Sequence, residues 1–207
     1  IHTKAGAPSN ASSIQDFNKA IELNSKDDIA YINRGNAKFQ LQDYRGAIQD
    51  YSMVIELKPN NATGYFNRGI AKEKLNNFKE AIPDFDAALK IDSGNANIYF
   101  NRGIAKHKIQ EYYAAILDYN KAIEFNSKFS DAYTNRGFVK IQIKNYSDAL
   151  NDLNNAIELN PKNSNAYFNR GIAKYYLKDK EGCCLDLSKA GELGFSKAYE
   201  SIKQYCN

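Results

Sequence analysis

Histidine is nearly absent from this 207-residue chain, which has only His2 and His107. One imidazole near the start and one in a helical stretch assemble neither a catalytic relay nor a histidine-rich metal cluster. Glycine-rich phosphate loops are missing as well, because the recurring glycines fall inside helical patterns. No apolar run approaches the roughly 18–20 residues needed to cross a bilayer. No basic-then-apolar secretory signal opens the sequence. Blocks of one charge are lacking too. The net charge of +4 is spread over lysines scattered among carboxylates, and five of six arginines recur at one position of a repeat. A nucleic-acid surface would gather that charge instead. The expectation is therefore no catalytic residue, no metal, no cofactor, no nucleic acid and no membrane span. Because the chain does not begin with Met, an upstream segment is expected to have been processed or left out, and localisation stays open. The cytoplasm is slightly favoured; a secreted or periplasmic site follows if Cys206 is disulfide-bonded.

What is present is a period. Apolar residues make up 43% and charged residues 25% of the chain, an ordinary balance for a folded protein. The string Tyr-x-Asn-Arg-Gly starts at Tyr31, Tyr65, Tyr99, Tyr133 and Tyr167, each 34 residues after the last. Units of that length run 28–61, 62–95, 96–129, 130–163 and 164–197. Each holds two stripes of three-and-four spacing, the mark of two helices with one buried face apiece. In the first unit, helix A carries Ala30, Tyr31, Gly35, Ala37 and Leu41 on its core side; helix B carries Tyr44, Ala47, Ile48, Tyr51, Ile55 and Leu57. Polar breaks such as Gln42-Asp43 separate them, and Pro59 or Pro161 closes a unit.

A 34-residue helix–turn–helix with an aromatic at position 4, Gly at 8, Ala at 20, an aromatic at 24 and Pro at 32 resembles the tetratricopeptide repeat; Tyr31, Gly35, Ala47, Tyr51 and Pro59 carry the match in the first unit. The resemblance implies an all-α fold, an α-α superhelix or solenoid of five such repeats. Residues 10–27 read as a half repeat, a helix B without its helix A, and 198–207 as a capping helix with Ala198, Ile202 and Tyr205 turned inward. Residues 1–9 read as a flexible tail or an added remnant.

Two positions depart from the family. Position 7, commonly Leu, is Arg34, Arg68, Arg102, Arg136 and Arg170; position 11, commonly Tyr, is Lys38, Lys72, Lys106, Lys140 and Lys174. Like charges four apart on one helix face repel. Position 23 of helix B supplies an answer in Asp16, Asp50, Asp84, Asp118, Asp152 and Asp186. The pattern predicts a ladder of Arg–Asp pairs between helices; the competing reading is a basic stripe that binds an acidic ligand.

Family resemblance further implies that the A helices line a concave surface. Position 6 there is Asn33, Asn67, Asn101, Asn135 and Asn169. Such amides both donate and accept, so they suit gripping the backbone of an extended peptide. Beside them run Phe66, Phe100, Phe168, Ile70, Ile104, Phe138, Ile172 and Tyr175, with Phe39 and Ile141 in the same stripe and Lys74 and Lys108 at its rim. This apolar stripe is a candidate binding surface, or else it packs against neighbouring A helices. The carboxylate clamp by which some relatives hold heat-shock chaperone tails needs Lys at position 5, which here is Ile32, Phe66, Phe100, Thr134 and Phe168. That partner is disfavoured. The sequence thus points to a scaffold that binds a protein or peptide segment, with self-association through the unpaired N-terminal helix, or service as the targeting part of a larger enzyme, as alternatives. Cys183 and Cys184 stand where other units have small or apolar residues, and Cys206 is placed within reach of that same helix.

Overall fold

The computed structural model describes residues 10–206 and contains helices alone among them. It divides into two compact units, one ending at Gly94 and the other beginning at Asn95. The first unit holds α1 (Asn10–Leu23), α2 (Asp28–Gln40), α3 (Tyr44–Leu57), α4 (Ala62–Lys74) and α5 (Phe78–Ile91). The second holds α6 (Ala96–Lys108), α7 (Tyr112–Phe125), α8 (Ser130–Gln142), α9 (Tyr146–Leu159), α10 (Ser164–Tyr176), α11 (Lys180–Glu192) and α12 (Lys197–Tyr205). Residues 1–9, read above as a tail, lie outside the described residues.

Capping sets where each helix begins. Asp27, Asn61 and Asn163 accept the third free N–H of α2, α4 and α10, and Asp43, Asn145 and Asp179 do the same for α3, α9 and α11. Each such cap stabilises a helix by about 1 kcal/mol. Between the two helices of every repeat one residue reverses the chain in the left-handed region: Gln42, Asn76, Gln110, Lys144 and Lys178. Within a unit, every repeat is an antiparallel hairpin, α2 on α3, α4 on α5, α6 on α7, α8 on α9 and α10 on α11. Each following A helix then packs on the preceding B helix, α2 on α1, α4 on α3, α8 on α7 and α10 on α9.

Packing inside a hairpin depends on the glycine at position 8. A Cβ on Gly103 would stand 2.7 Å from the Tyr119 ring, and one on Gly69 equally close to Phe85. Only glycine lets helix A press onto the large side chain at position 24. The core is consequently made of small residues around one large one, as with Ala115 and Tyr119, or Ala149, Leu153 and Ala156.

The last repeat is finished by α12. Ala198 is fully buried, and Ile202 and Tyr205 are half-buried, as their spacing predicts. Cys184 on α11 is bonded to Cys206, with their Cα atoms 5.7 Å apart, while Cys183 is a buried free thiol. Burial pushes that thiol's pKa up, which keeps it protonated and unreactive. Two positions come out differently from expectation. Leu41 caps α2 and is 51% exposed, because the helix ends one residue before it. Ile141, placed in the groove stripe, is buried with Ala149 and Leu153 in the core.

Candidate functional site

The charged positions resolve first. In each repeat the Asp of helix B is buried and held by both cations of helix A. Arg34 donates from Nε and Nη2 to the two oxygens of Asp50 at 3.0 and 2.6 Å, and Lys38 Nζ lies 2.8 Å from the same carboxylate. Arg68 and Lys72 hold Asp84, Arg102 and Lys106 hold Asp118, Arg136 and Lys140 hold Asp152, and Arg170 and Lys174 hold Asp186 in the same way. The two like charges thus coexist because they share one anion. Each guanidinium also lies 5.3–5.8 Å from the ring of the tyrosine three residues earlier. The bond to Asp50 holds the Arg34 guanidinium pKa above its ordinary value. The ladder is structural, and its cations are spent on it.

Sequence reading missed one member of this arrangement. The remaining arm of the guanidinium reaches back to the preceding helix B: Arg34 Nη1 donates to Asn18, Arg68 to Ser52, Arg136 to Asn120 and Arg170 to Asn154. The signal was available, since all four acceptors stand at position 25. Their side chains vary between amide and hydroxyl, which hides the pattern.

The inner faces of the A helices form the candidate binding surface. In the second unit, α8 lies between α6 and α10. A recess of about 590 Å³ opens there, lined by Phe100, Ile104, His107, Phe138, Phe168 and Asn169, with Asn135 beside them. Lys108, Lys197 and Asp131 stand at its polar edge. Thr134 is part of its lining. Position 5 is Phe in repeats 2, 3 and 5, but here a smaller side chain folds down, accepting from Asn163 Nδ2 at 3.0 Å and donating to the Ser130 carbonyl. Phe195, from the turn before α12, closes one end with its ring 4.6 Å from Phe168. Phe195 stands at the position where repeats 1 and 4 carry Pro and repeats 2 and 3 carry Ser, so no groove pattern pointed to it. His107 meets the edge of Phe138 at 5.2 Å; burial first, then Lys108, lowers its pKa and keeps the imidazole neutral.

The first unit carries a smaller recess of about 120 Å³, between Asn36, Phe39, Tyr51, Asn67 and Ile70. Its amides are engaged. Tyr51 Oη donates to Asn36 Oδ1 at 2.8 Å, and Asn67 donates to the same oxygen at 3.3 Å. Phe66 leans on Phe85, at 6.1 Å between ring centres. Glu73, next along this face, has a buried Oε1 with no hydrogen-bond partner, and burial raises its pKa to about 7, against a smaller lowering by Lys74. A third recess, of about 550 Å³, lies among chain reversals near Pro59 and Asn60, at the first residues of α2 and α4.

The asparagine positions are therefore not equivalent. Asn67 is tied to Asn36, Asn101 donates to the carbonyl of Asn97 at 2.8 Å, and Asn169 is buried at the recess. The apolar stripe is half-buried apart from Tyr175, which is exposed and tilted against Tyr205: Phe100 packs on Tyr119 and Phe129, and Ile104 and Ile172 lean on core clusters. Among the described residues no group of three His, Cys, Asp or Glu side chains could hold a metal, and no helix is long and apolar enough to cross a membrane.

With this geometry in hand, the comparisons agree on one family. A TPR repeat model matches residues 35–76 and 140–177, and tetratricopeptide repeat models match 62–95 and 96–129. No curated protein sequence matches the chain. Among solved structures, the chain is similar to YrrB, described as a TPR protein with an unusual peptide-binding site: 26% identity, 92% of this chain and 99% of that one, TM-score 0.75. MamA is similar at 26% identity, over 83% of this chain and 94% of its own, with a TM-score of 0.74. A tetratricopeptide repeat protein from Parabacteroides merdae shares the fold at 21% identity, over 96% and 78% of the two chains, with a TM-score of 0.67. The chain belongs to the tetratricopeptide repeat family of protein-interaction scaffolds.

Proposed function

We propose that this scaffold acts by binding rather than by chemistry of its own, and that the recess of the second unit takes a bulky apolar side chain from a protein or peptide partner. One observation carries the reading: Thr134 stands where three other repeats have Phe, and the space it leaves is walled by Phe100, Phe138, Phe168 and Phe195. Such a concave apolar site with a few polar groups suits an anchoring side chain. Lys108 and Lys197 at its edge favour acidic residues beside the anchor. The likeness to YrrB, whose description names a peptide-binding site, supports a peptide ligand. Asn135 and Asn169 are the ladder amides placed to meet that ligand's backbone.

Filling the recess tests the proposal. Peptides selected on the intact chain are titrated against Thr134→Phe and Thr134→Val by calorimetry. The phenyl ring should weaken binding about tenfold or more, the cost of losing one buried anchor, while the valine keeps the space open and the affinity. Equal binding by the Thr134→Phe protein, folded by circular dichroism, would overturn the assignment.

A further inference from the structure

Packing holds helix α12 only weakly. It has nine residues, too few to be stable as an isolated helix. Ser196 before it places no side-chain cap on its first free N–H groups. Ala198 is buried, but Ile202 and Tyr205 are only half-buried. The firmest tie is covalent: Cys206, which ends the helix, is bonded to Cys184 of α11.

The same segment supplies part of the recess. Phe195 and Lys197, in the turn and at the first residue of α12, stand in its lining, and the Phe195 ring lies 4.6 Å from Phe168. The N–H groups of Phe195 and Ala198 are bonded to the carbonyls of Ala190 and Phe195. Just before them Gly194 turns the chain at a φ of 91°, with open space where a Cβ would point. At the far end of the helix Tyr205 rests on Tyr175 of α10. A strap thus runs from the recess wall to the bridge.

That bridge can be reached from solvent, since Cys184 and Cys206 are both half-buried. Cys183 beside it is fully buried and held as the thiol, so it supplies no thiolate to open the bond from within. Opening it takes an external dithiol. One thiolate attacks a sulfur of the bridge, and the second thiol resolves the mixed disulfide. Two electrons and two protons pass to Cys184 and Cys206, which become thiols, and the dithiol becomes a disulfide.

We propose that the Cys184–Cys206 bond is a redox control on the recess: closed, it straps α12 down and fixes Phe195 and Lys197 in the wall; opened by a dithiol, it releases α12 and weakens ligand binding. This rests on the recess being the ligand site. With the bond open only packing keeps α12 docked, and affinity falls by the fraction of molecules whose wall is complete.

The probe is the tightest peptide selected on the oxidised chain, titrated by calorimetry against that chain before and after treatment with dithiothreitol. Reduction should weaken binding about tenfold, the result of docking α12 in about a tenth of the molecules, and reoxidation should restore it. Cys206→Ser should bind like the reduced chain and ignore the reductant. Cys183→Ala, which installs the residue that repeats 1 to 4 carry at this position, should keep the full response. In the ligand-free chain, amide exchange at residues 195–198 should quicken on reduction. Unchanged exchange there overturns the proposal whatever the peptide does. Three free thiols in the chain purified under air overturn it too, as does equal binding by oxidised and reduced chains while Thr134→Phe still blocks the peptide. Thr134→Phe binding as tightly as the wild type removes the recess reading instead, and this proposal with it.

Discussion

The face of α3 beneath α2 and the face of α1 one repeat earlier follow one sequence pattern, and among the described residues only the first holds its carboxylate buried. Asp50 is buried between Arg34 and Lys38; Asp16 is exposed. At the other end the face of α11 beneath α10 is closed in the same way, with Asp186 buried between Arg170 and Lys174. On its far side lies α12, which lacks the Arg-Gly-x-x-Lys pattern but buries Ala198 and is fixed by a disulfide. The difference teaches that position 23 does not carry stability in itself. A carboxylate there stabilises the array only as half of a pair. Glu73 gives the third case, a buried carboxyl without a cation bonded to it, which answers by holding its proton up to about pH 7.

The sharpest contrast is thermodynamic. Asp50→Ala should lose about 3–5 kcal/mol, because it leaves Arg34 and Lys38 partly buried without their anion, whereas Asp16→Ala should change stability by under about 0.5 kcal/mol. Urea melts of the two variants measure this, and equal losses would break the comparison. Next comes the bridged end. Cys206→Ser opens a cross-link with a sequence separation of 22 residues. It should cost the α11–α12 region about 2–4 kcal/mol, read as faster amide exchange along α12. Unchanged exchange would mean that packing alone holds the cap. The smallest effect belongs to Glu73. Its folded pKa is raised from 4.5 to about 7, so the wild type loses stability as pH climbs between those values and is flat above. Glu73→Gln should match the wild type at pH 4 and exceed it by about 1–3 kcal/mol at pH 8. Melts across that range showing no such divergence would contradict the proton on Glu73.

Much of this was legible before the structure. A strict period, with its two helical stripes, fixed the hairpins. The coincidence of Arg, Lys and Asp at fixed positions predicted the ladder, because two cations on one helix face require an anion. The inward face of α12 followed from spacing alone. What escaped reading depends on local departures from the period. Thr134 was read in sequence only as a position without the clamp lysine, whereas in the structure it lines the recess among four phenylalanines. Phe195 closes that recess from a turn that repeat logic assigns to Pro. Ile141 shares a helical stripe with groove residues but is drawn into the core by Ala149 and Leu153. The asparagines looked identical in sequence, and only their neighbours decide which amide is already bonded: Asn36 is present in the first repeat alone at a position that elsewhere is Ile or Phe.

The backward reach of each arginine has a consequence for how the protein comes apart. Arg34 joins side chains of α1, α2 and α3; Arg136 joins α7, α8 and α9; Arg170 joins α9, α10 and α11. A stack of repeats is in principle a one-dimensional chain of nearest neighbours, free to fray one hairpin at a time. Here the melting of α3, α7 or α9 removes a ligand from the guanidinium of the next repeat as well as from its own. Neighbouring hairpins within a unit are thereby coupled electrostatically as well as through apolar contact, so each unit should unzip in larger steps than its separate hairpins would.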